Sequence, residues 1–217
     1  KQRVALARTL ATEPACLLLD EPLSSLDAKL KKEIRALLRW LNRNGQTILH
    51  VTHDYEEAIA LASHIGVMEK GKLVQFGDAE TILKEPRSSF VANFTGIKNY
   101  FKVVLEANNQ YGEMLARTET DVCVRISTNK SHGQGFIIVP CDSILLSNKQ
   151  VDTSAANQFE GKIKDISAGR FGVEVLVESR INLVAQVTQS AVEKMHLTMG
   201  QSIWVSFKAT SVRFIKK

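Results

Sequence analysis

Cysteine is scarce: Cys16, Cys123 and Cys141 form an odd set with no metal-ligand spacing between them. That argues against a disulfide framework or a structural zinc site and reads as reduced cytosolic thiols. Long apolar runs are missing as well, and none approaches the roughly 18 residues of a membrane-spanning helix. The opening "KQRVALARTL" is charged and amphipathic, which is not the pattern of a signal peptide. No start methionine or capping residue precedes Lys1, so the first residues read as the middle of something. The formal charge of +5 is a mild bias towards anionic partners. No basic run, aromatic stacking pattern or helix-turn-helix goes with it, so no nucleic acid partner is expected. What remains, in 217 residues of which 44% are hydrophobic and 24% charged, is an ordinary globular composition. The length suffices to bury a core in one or two domains.

Up to about Gly96, helical and strand patterns alternate. "QRVALARTLAT" reads as a helix ended by Pro14. "CLLL" (16–19) is an unbroken apolar run, which predicts a parallel strand buried on both faces. The next helix places Leu30, Ile34, Leu37, Leu38 and Leu41 on one side and closes at Asn44-Gly45. "TILHVTH" is a second apolar strand, after which Asp54 caps a helix and Glu57 is placed to complete a capping box. "IGVMEKGKLVQFG" predicts a hairpin turning at Lys70-Gly71, and short helices follow from Asp78 and Ser89. The expected fold is part of a doubly wound α/β domain. From about Lys98 the helices nearly vanish. "VCVRIS", "GFIIVP", "FGVEVLVES", "INLVAQVT" and "QSIWVSF" are short strands, interrupted by one helix, "QSAVEKM", which suggests a small barrel or sandwich. "FIIVPCDSILLS" (136–147) and "WVSFKATSVRFI" (204–215) echo one another, as two tandem copies of one β module would. In that alignment Pro140 stands opposite Lys208.

Chemistry concentrates where the first strand ends. In an open α/β sheet, ligands sit outside the carboxyl ends of the strands. Asp20 and Glu21 lie there, and Pro22 stops the ladder because it has no N–H to donate. Asp20 suits a ligand to Mg²⁺, a hard cation that takes few carboxylates. Glu21 could orient or deprotonate an attacking water. Ser25-Leu26-Asp27 follows at short range, and "VTHD" puts His53 at the carboxyl end of the next strand, on the same sheet edge. Asp27 is also a good helix N-cap. His50, inside "ILHVT", reads as a hydrogen-bonded core or interface histidine, and Trp40 and Trp204 read as packing residues.

The ordered set "KQRVALARTL…CLLLDEPLSSLDA…ILHVTHD" resembles the second half of the nucleotide-binding domain of ABC transporters, over residues 1 to about 97. The resemblance implies that Asp20 is the Walker B aspartate and Glu21 the catalytic carboxylate. It makes Ser25, Leu26 and Asp27 the D-loop, and His53 the switch histidine that contacts the γ-phosphate. "KQRVALAR" is similar to the helix that follows the family's signature loop, and neither that loop nor a credible P-loop is seen. Gly66 to Leu73 fits G-x-x-x-x-G-K, but Leu73 stands where Ser or Thr should be and the setting is a hairpin. The chain alone is therefore expected to be inactive. For the intact subunit the family implies ATP and Mg²⁺, and a homodimer with a second ATP-binding subunit. Permease subunits and, indirectly, a periplasmic or extracellular binding protein would be partners at the cytoplasmic face of the membrane.

The second half, "SAANQFEGKI…VTQSAVEKM…FKATSVRFI", resembles the molbindin-like TOBE domains, with residues 98–153 as a divergent first module and 154–217 as the second. These bind molybdate or tungstate, and the resemblance transfers an oxyanion role to Ser154, Asn157 and Lys208. Thr188 and Ser190 are further candidates, and Ala156 replaces the family's arginine. The leading expectation is a fragment of the motor subunit of a molybdate/tungstate importer with an oxyanion-sensing domain. The alternatives are an importer for sulfate, polyamine or sugar, and an oxyanion sensor or storage module with a remnant ATPase half.

Overall fold

A computed structural model describes residues 2–107, 113–130, 132–169 and 172–216, and the chain divides between Lys84 and Glu85 into two compact units. In the first unit, α1 (Gln2–Leu10) stops ahead of Glu13, whose φ of 46° leaves the helical region before Pro14. The strands β1 (Cys16–Asp20) and β2 (Thr47–Val51) pair in parallel and are joined by α2 (Ala28–Arg43). Asp27 caps α2 by accepting from the Leu30 N–H at 2.9 Å. Ile34 and Leu38 of α2 close over Leu17 and Leu23, with Leu41, Ile48 and Leu61 packed around them. Next come α3 (Tyr55–Leu61), the hairpin β3 (Ile65–Glu69) and β4 (Lys72–Gly77), and α4 (Ala79–Lys84). The hairpin turns on Lys70 and Gly71, with φ of 50° and 74°, the paired left-handed residues of a tight two-residue turn. Gly66 to Leu73 is thus a hairpin.

Two expectations need correction here. β1 is buried on one face only: Leu17 is fully buried, whereas Leu18 is 69% exposed. The register places Cys16, Leu18 and Asp20 beside Thr47, Leu49 and Val51, so one side of the parallel pair packs on α2 and the other is open. Trp40, expected to pack, is 60% exposed, because it projects from α2 away from the Ile34–Leu38 stripe.

The second unit begins earlier than the composition shift near Lys98 suggests. α5 (Ser89–Phe94), capped by Ser88, packs against β5 (Tyr100–Ala107), and the Tyr100 hydroxyl donates to the Pro86 carbonyl at 3.1 Å. Then follow β6 (Met114–Thr118), β7 (Cys123–Ile126), β8 (Gly133–Ile138) and β9 (Leu145–Ser147). A second series contains β10 (Asn157–Gly169), β11 (Gly172–Glu178), β12 (Asn182–Val187), α6 (Gln189–Met195), β13 (Ser202–Phe207) and β14 (Arg213–Lys216). They form two five-stranded sheets, ordered β14-β8-β5-β6-β7 and β12-β11-β10-β13-β9, around one shared core that includes Val103, Ile137, Val175, Ile203 and Phe207.

The internal echo is structural. β8, a 3-10 turn at Cys141–Ser143 and β9 correspond to β13, a 3-10 turn at Ala209–Ser211 and β14. The last strands are exchanged: β9 pairs with β13, and β14 with β8. Two buried asparagines complete the interlock. Asn157 Oδ1 accepts from the Arg125 N–H at 2.8 Å, and its Nδ2 donates to the Arg125 carbonyl at 2.9 Å. Asn99 treats Val184 the same way, at 2.7 and 2.8 Å. Arg125 lies on β7 and Val184 on β12, the outer strands of their sheets, so each amide satisfies backbone groups that an edge leaves unpaired.

Asn157→Ala removes both partners of Arg125 and is expected to lower the stability of the β unit by about 1–3 kcal/mol. Urea unfolding followed through Trp204 fluorescence measures it, and an unchanged midpoint would show that water replaces the amide without cost.

Candidate functional site

Parallel pairing sets Asp20 opposite Val51, so the chain leaves β1 and β2 at the same edge. The Glu21 N–H extends the contact by donating to the Val51 carbonyl at 2.9 Å. Glu21 has φ of 47°, a left-handed conformation that costs a non-glycine residue on the order of 1–2 kcal/mol. Its carboxylate meets His53, with Oε1 2.5 Å from Nδ1. Side-chain exposure is 78% for His53 and 36% for Glu21, so the contact is open to solvent on the histidine side. The Glu21 hydrogen bond first, and its charge second, raise the His53 pKa above the ordinary imidazole value, with smaller contributions from Asp54 and Glu57.

Asp20 is exposed, and its carboxylate makes no hydrogen bond or ion pair among the described residues. No cluster of three or more His, Cys, Asp or Glu poised for a metal occurs among them either. A single free carboxylate is nonetheless adequate for Mg²⁺, which keeps most of its waters and shares the phosphates of its nucleotide. Of the three residues after Ser24, Ser25 is exposed, Leu26 packs on the Leu17–Leu23 cluster, and Asp27 caps α2. Asp54 caps α3 through the N–H groups of Glu56 and Glu57. The reciprocal half of the expected capping box does not form, since the Asp54 N–H donates to Thr52 Oγ1 at 3.0 Å. Glu57 is buried and turns instead to His50, Oε1 against Nε2.

In the β unit, Ser154 and Lys208 are exposed at one end of the β10–β13 pair, where Asn157 lies opposite Phe207. Asn157 is beside them, with its amide engaged by Arg125. Thr188 and Ser190 are not brought to this place within the chain. They follow β12, whose Val187 pairs with Val173, and so lie towards the Gly169 end of β10, opposite to Asn157. Beside Lys208 lies instead the segment from Ser127 to Lys130, where the Ser127 N–H donates to the Ala209 carbonyl at 3.1 Å. Its signal was available, as hydroxyl and amine side chains directly after the alternating strand "VCVRIS". The two ends also differ in charge. Lys208 forms no ion pair among the described residues, whereas Lys98, adjacent to Asn99, lies 3.8 Å from Glu174. Cys16, Cys123 and Cys141 are all free thiols, and burial pushes the Cys141 pKa up.

Residues 153–214 match the TOBE domain family. The molybdate/tungstate import ATP-binding protein WtpC of Pyrococcus abyssi is 36% identical over 98% of this chain and 60% of its own length. The spermidine/putrescine import ATP-binding protein PotA of Trichodesmium erythraeum is 36% identical over 76% of this chain and 46% of its own length. The chain thus spans about 60% or less of the curated relatives it matches and is homologous to ATP-binding subunits of ABC importers. A molybdate-bound crystal form of the cytoplasmic molybdate-binding protein ModG aligns with 55% of this chain and 96% of its own, at 21% identity and a TM-score of 0.47. No helix among the described residues is long and apolar enough to cross a membrane.

The raised His53 pKa has a definite sign. Its contact with Glu21 stabilises the fold below the unfolded-state value of about 6.5. That contribution is lost as pH rises through the higher folded value. NMR titration of the His53 ring should show a midpoint above the ordinary value, falling in Glu21→Gln. A midpoint equal in the two proteins would mean that the contact does not form in solution.

Proposed function

We propose that this chain, a TOBE domain joined to a stretch homologous to ABC import ATP-binding subunits, is part of the ATP-hydrolysing subunit of a molybdate/tungstate importer. The observation that carries the hydrolytic reading is the Glu21–His53 contact at the shared edge of β1 and β2. Glu21 is the general base that takes a proton from the attacking water. Protonated His53, the form that the Glu21 contact favours, holds that carboxylate through Nδ1–H and has its Nε2–H left to donate to the γ-phosphate as charge develops there. Asp20 would hold Mg²⁺, which would neutralise phosphate charge. Ser25, Leu26 and Asp27 form the loop that faces a second ATP-binding subunit, and the dimer works with permease subunits at the cytoplasmic face of the membrane.

The β unit is the regulatory part, comprising modules 98–153 and 154–217. Lys208 is a cation with no ion pair among the described residues, Ser154 is an exposed hydroxyl, and the segment after β7 runs alongside. That set suits a tetrahedral dianion, which needs several donors and one cation. Asn157 contributes by fixing β7 against β10, and Thr188 and Ser190 add donors where modules meet across chains. Bound oxyanion acts as feedback only if one arrangement of the β units binds it better than another. Polyamine import is the second reading, favoured by the PotA relative's match to 76% of this chain. Lys208, without an ion pair among the described residues, speaks for an anion.

The 217-residue chain is expected to release no phosphate from ATP above a Glu21→Gln background, because no P-loop positions the phosphates. In the intact subunit, Glu21→Gln should nearly abolish turnover and preserve nucleotide binding. Turnover that survives this substitution would remove Glu21 from the reaction.

Calorimetry tests the sensor. Molybdate or tungstate should bind saturably, and Lys208→Ala should weaken binding by about 1.5–3 kcal/mol, roughly 10- to 150-fold. No saturable heat, or an affinity indifferent to Lys208→Ala and Ser154→Ala, would leave the β unit as a dimerisation element of an importer for another solute.

A further inference from the structure

Glu57 is the buried carboxylate that the proposed hydrolysis leaves unused. It is 3% exposed, and its partner His50 is 14% exposed in its side chain. Burying two ionisable groups forfeits solvation that an apolar pair of the same volume would not lose. Their value to stability alone is therefore a weak explanation, and their position offers a better one. His53 sits in a short arch, residues 52–54, between β2 and α3. One foot of the arch is Val51, whose carbonyl receives the Glu21 N–H at 2.9 Å. The other is the first turn of α3, gathered by Asp54 through the Glu56 and Glu57 N–H groups. The Glu57 side chain reaches from that turn back to His50 on β2 and so ties the two feet together. Arg35 of α2 approaches Asp54 from the side, at 3.8 Å.

We propose that His50 and Glu57 are positioning residues, a buried strap that closes the 52–54 arch and holds the His53 ring against Glu21. The proposal rests on the reading of Glu21 and His53 as the hydrolytic pair and adds the device that aligns them. With β1 and β2 locked in register, the backbone freedom left to His53 is the pivot of its arch. The strap removes that freedom. Its location on the inner face, beside Ile48 in the apolar cluster, shields it from water and salt, unlike the exposed contact that it serves.

The test reads the His53 tautomer, which packing alone does not set. Which ring nitrogen carries the proton depends on the hydrogen bond the ring makes. In the full 217-residue chain labelled with ¹⁵N-histidine, ring ¹⁵N shifts at one pH above the titration should show the proton mainly on Nδ1, facing Glu21. His50→Phe keeps the ring volume and removes the nitrogen, and the Nδ1–H share should fall by at least half. Glu57→Gln retains a hydrogen-bonding side chain of the same reach and should keep the parent share. A folded His50→Phe chain with an unchanged share overturns the proposal. Should that variant not fold, Glu57→Asp, which withdraws the carboxylate by one methylene, gives the same comparison with the same two outcomes. Glu21→Ala separates the strap from the site: it should abolish the Nδ1–H preference. If it does not, the Glu21–His53 contact itself is wrong, and the strap falls with it.

Discussion

Everything at the candidate site depends on the parallel ladder between β1 and β2. The two strands are far apart in sequence, and their pairing alone brings Glu21 and His53 to one edge. The ladder continues one step past the strand, through the Glu21 N–H and the Val51 carbonyl, before Pro22 ends it. That extra hydrogen bond coincides with the left-handed turn at Glu21, so the residue with an unfavourable backbone is also held by the ladder. Strain at such a position persists only when its surroundings over-determine it. Here they do so through the ladder below and the histidine contact above.

The β unit solves a different problem. Two modules of few strands each would leave open edges and thin cores. Exchange of β9 and β14 merges their interiors into one apolar cluster. Asn99 and Asn157 then fasten outer strands that no neighbouring strand completes. Asn157, expected to be a ligand donor, thus also serves as backbone glue between β7 and β10.

The sequence showed the helices of the first unit, the hairpin at Lys70-Gly71 and the caps at Asp27 and Asp54, because each has a local cause in its own few residues. It misled at "CLLL", since an unbroken apolar run says that burial is expected on both faces but not which neighbours supply it. It overlooked β10, the 13-residue strand at the centre of one sheet, because "NQFEGKIKDISAG" mixes charge and glycine with little alternation. A bulge between Ile163 and Asp165 breaks the period there. The Glu21–His53 contact was legible from strand-end logic. The Glu57–His50 contact was hidden by a rival local role, since Glu57 also fits a capping box that tertiary burial overrides.

The exchange of terminal strands has a consequence for how the chain is made. Arg213 pairs with Ile138, so the sheet built mostly from the earlier module is completed by residues synthesised some 75 positions later. Until that segment leaves the ribosome, β8 has an unsatisfied edge and Gly135 lacks the Ile215 backbone that crowds against it. The first module cannot finish folding before the second has been translated. The two copies are consecutive in the gene but simultaneous in assembly, and a nascent chain halted between them would display an open β edge to its neighbours.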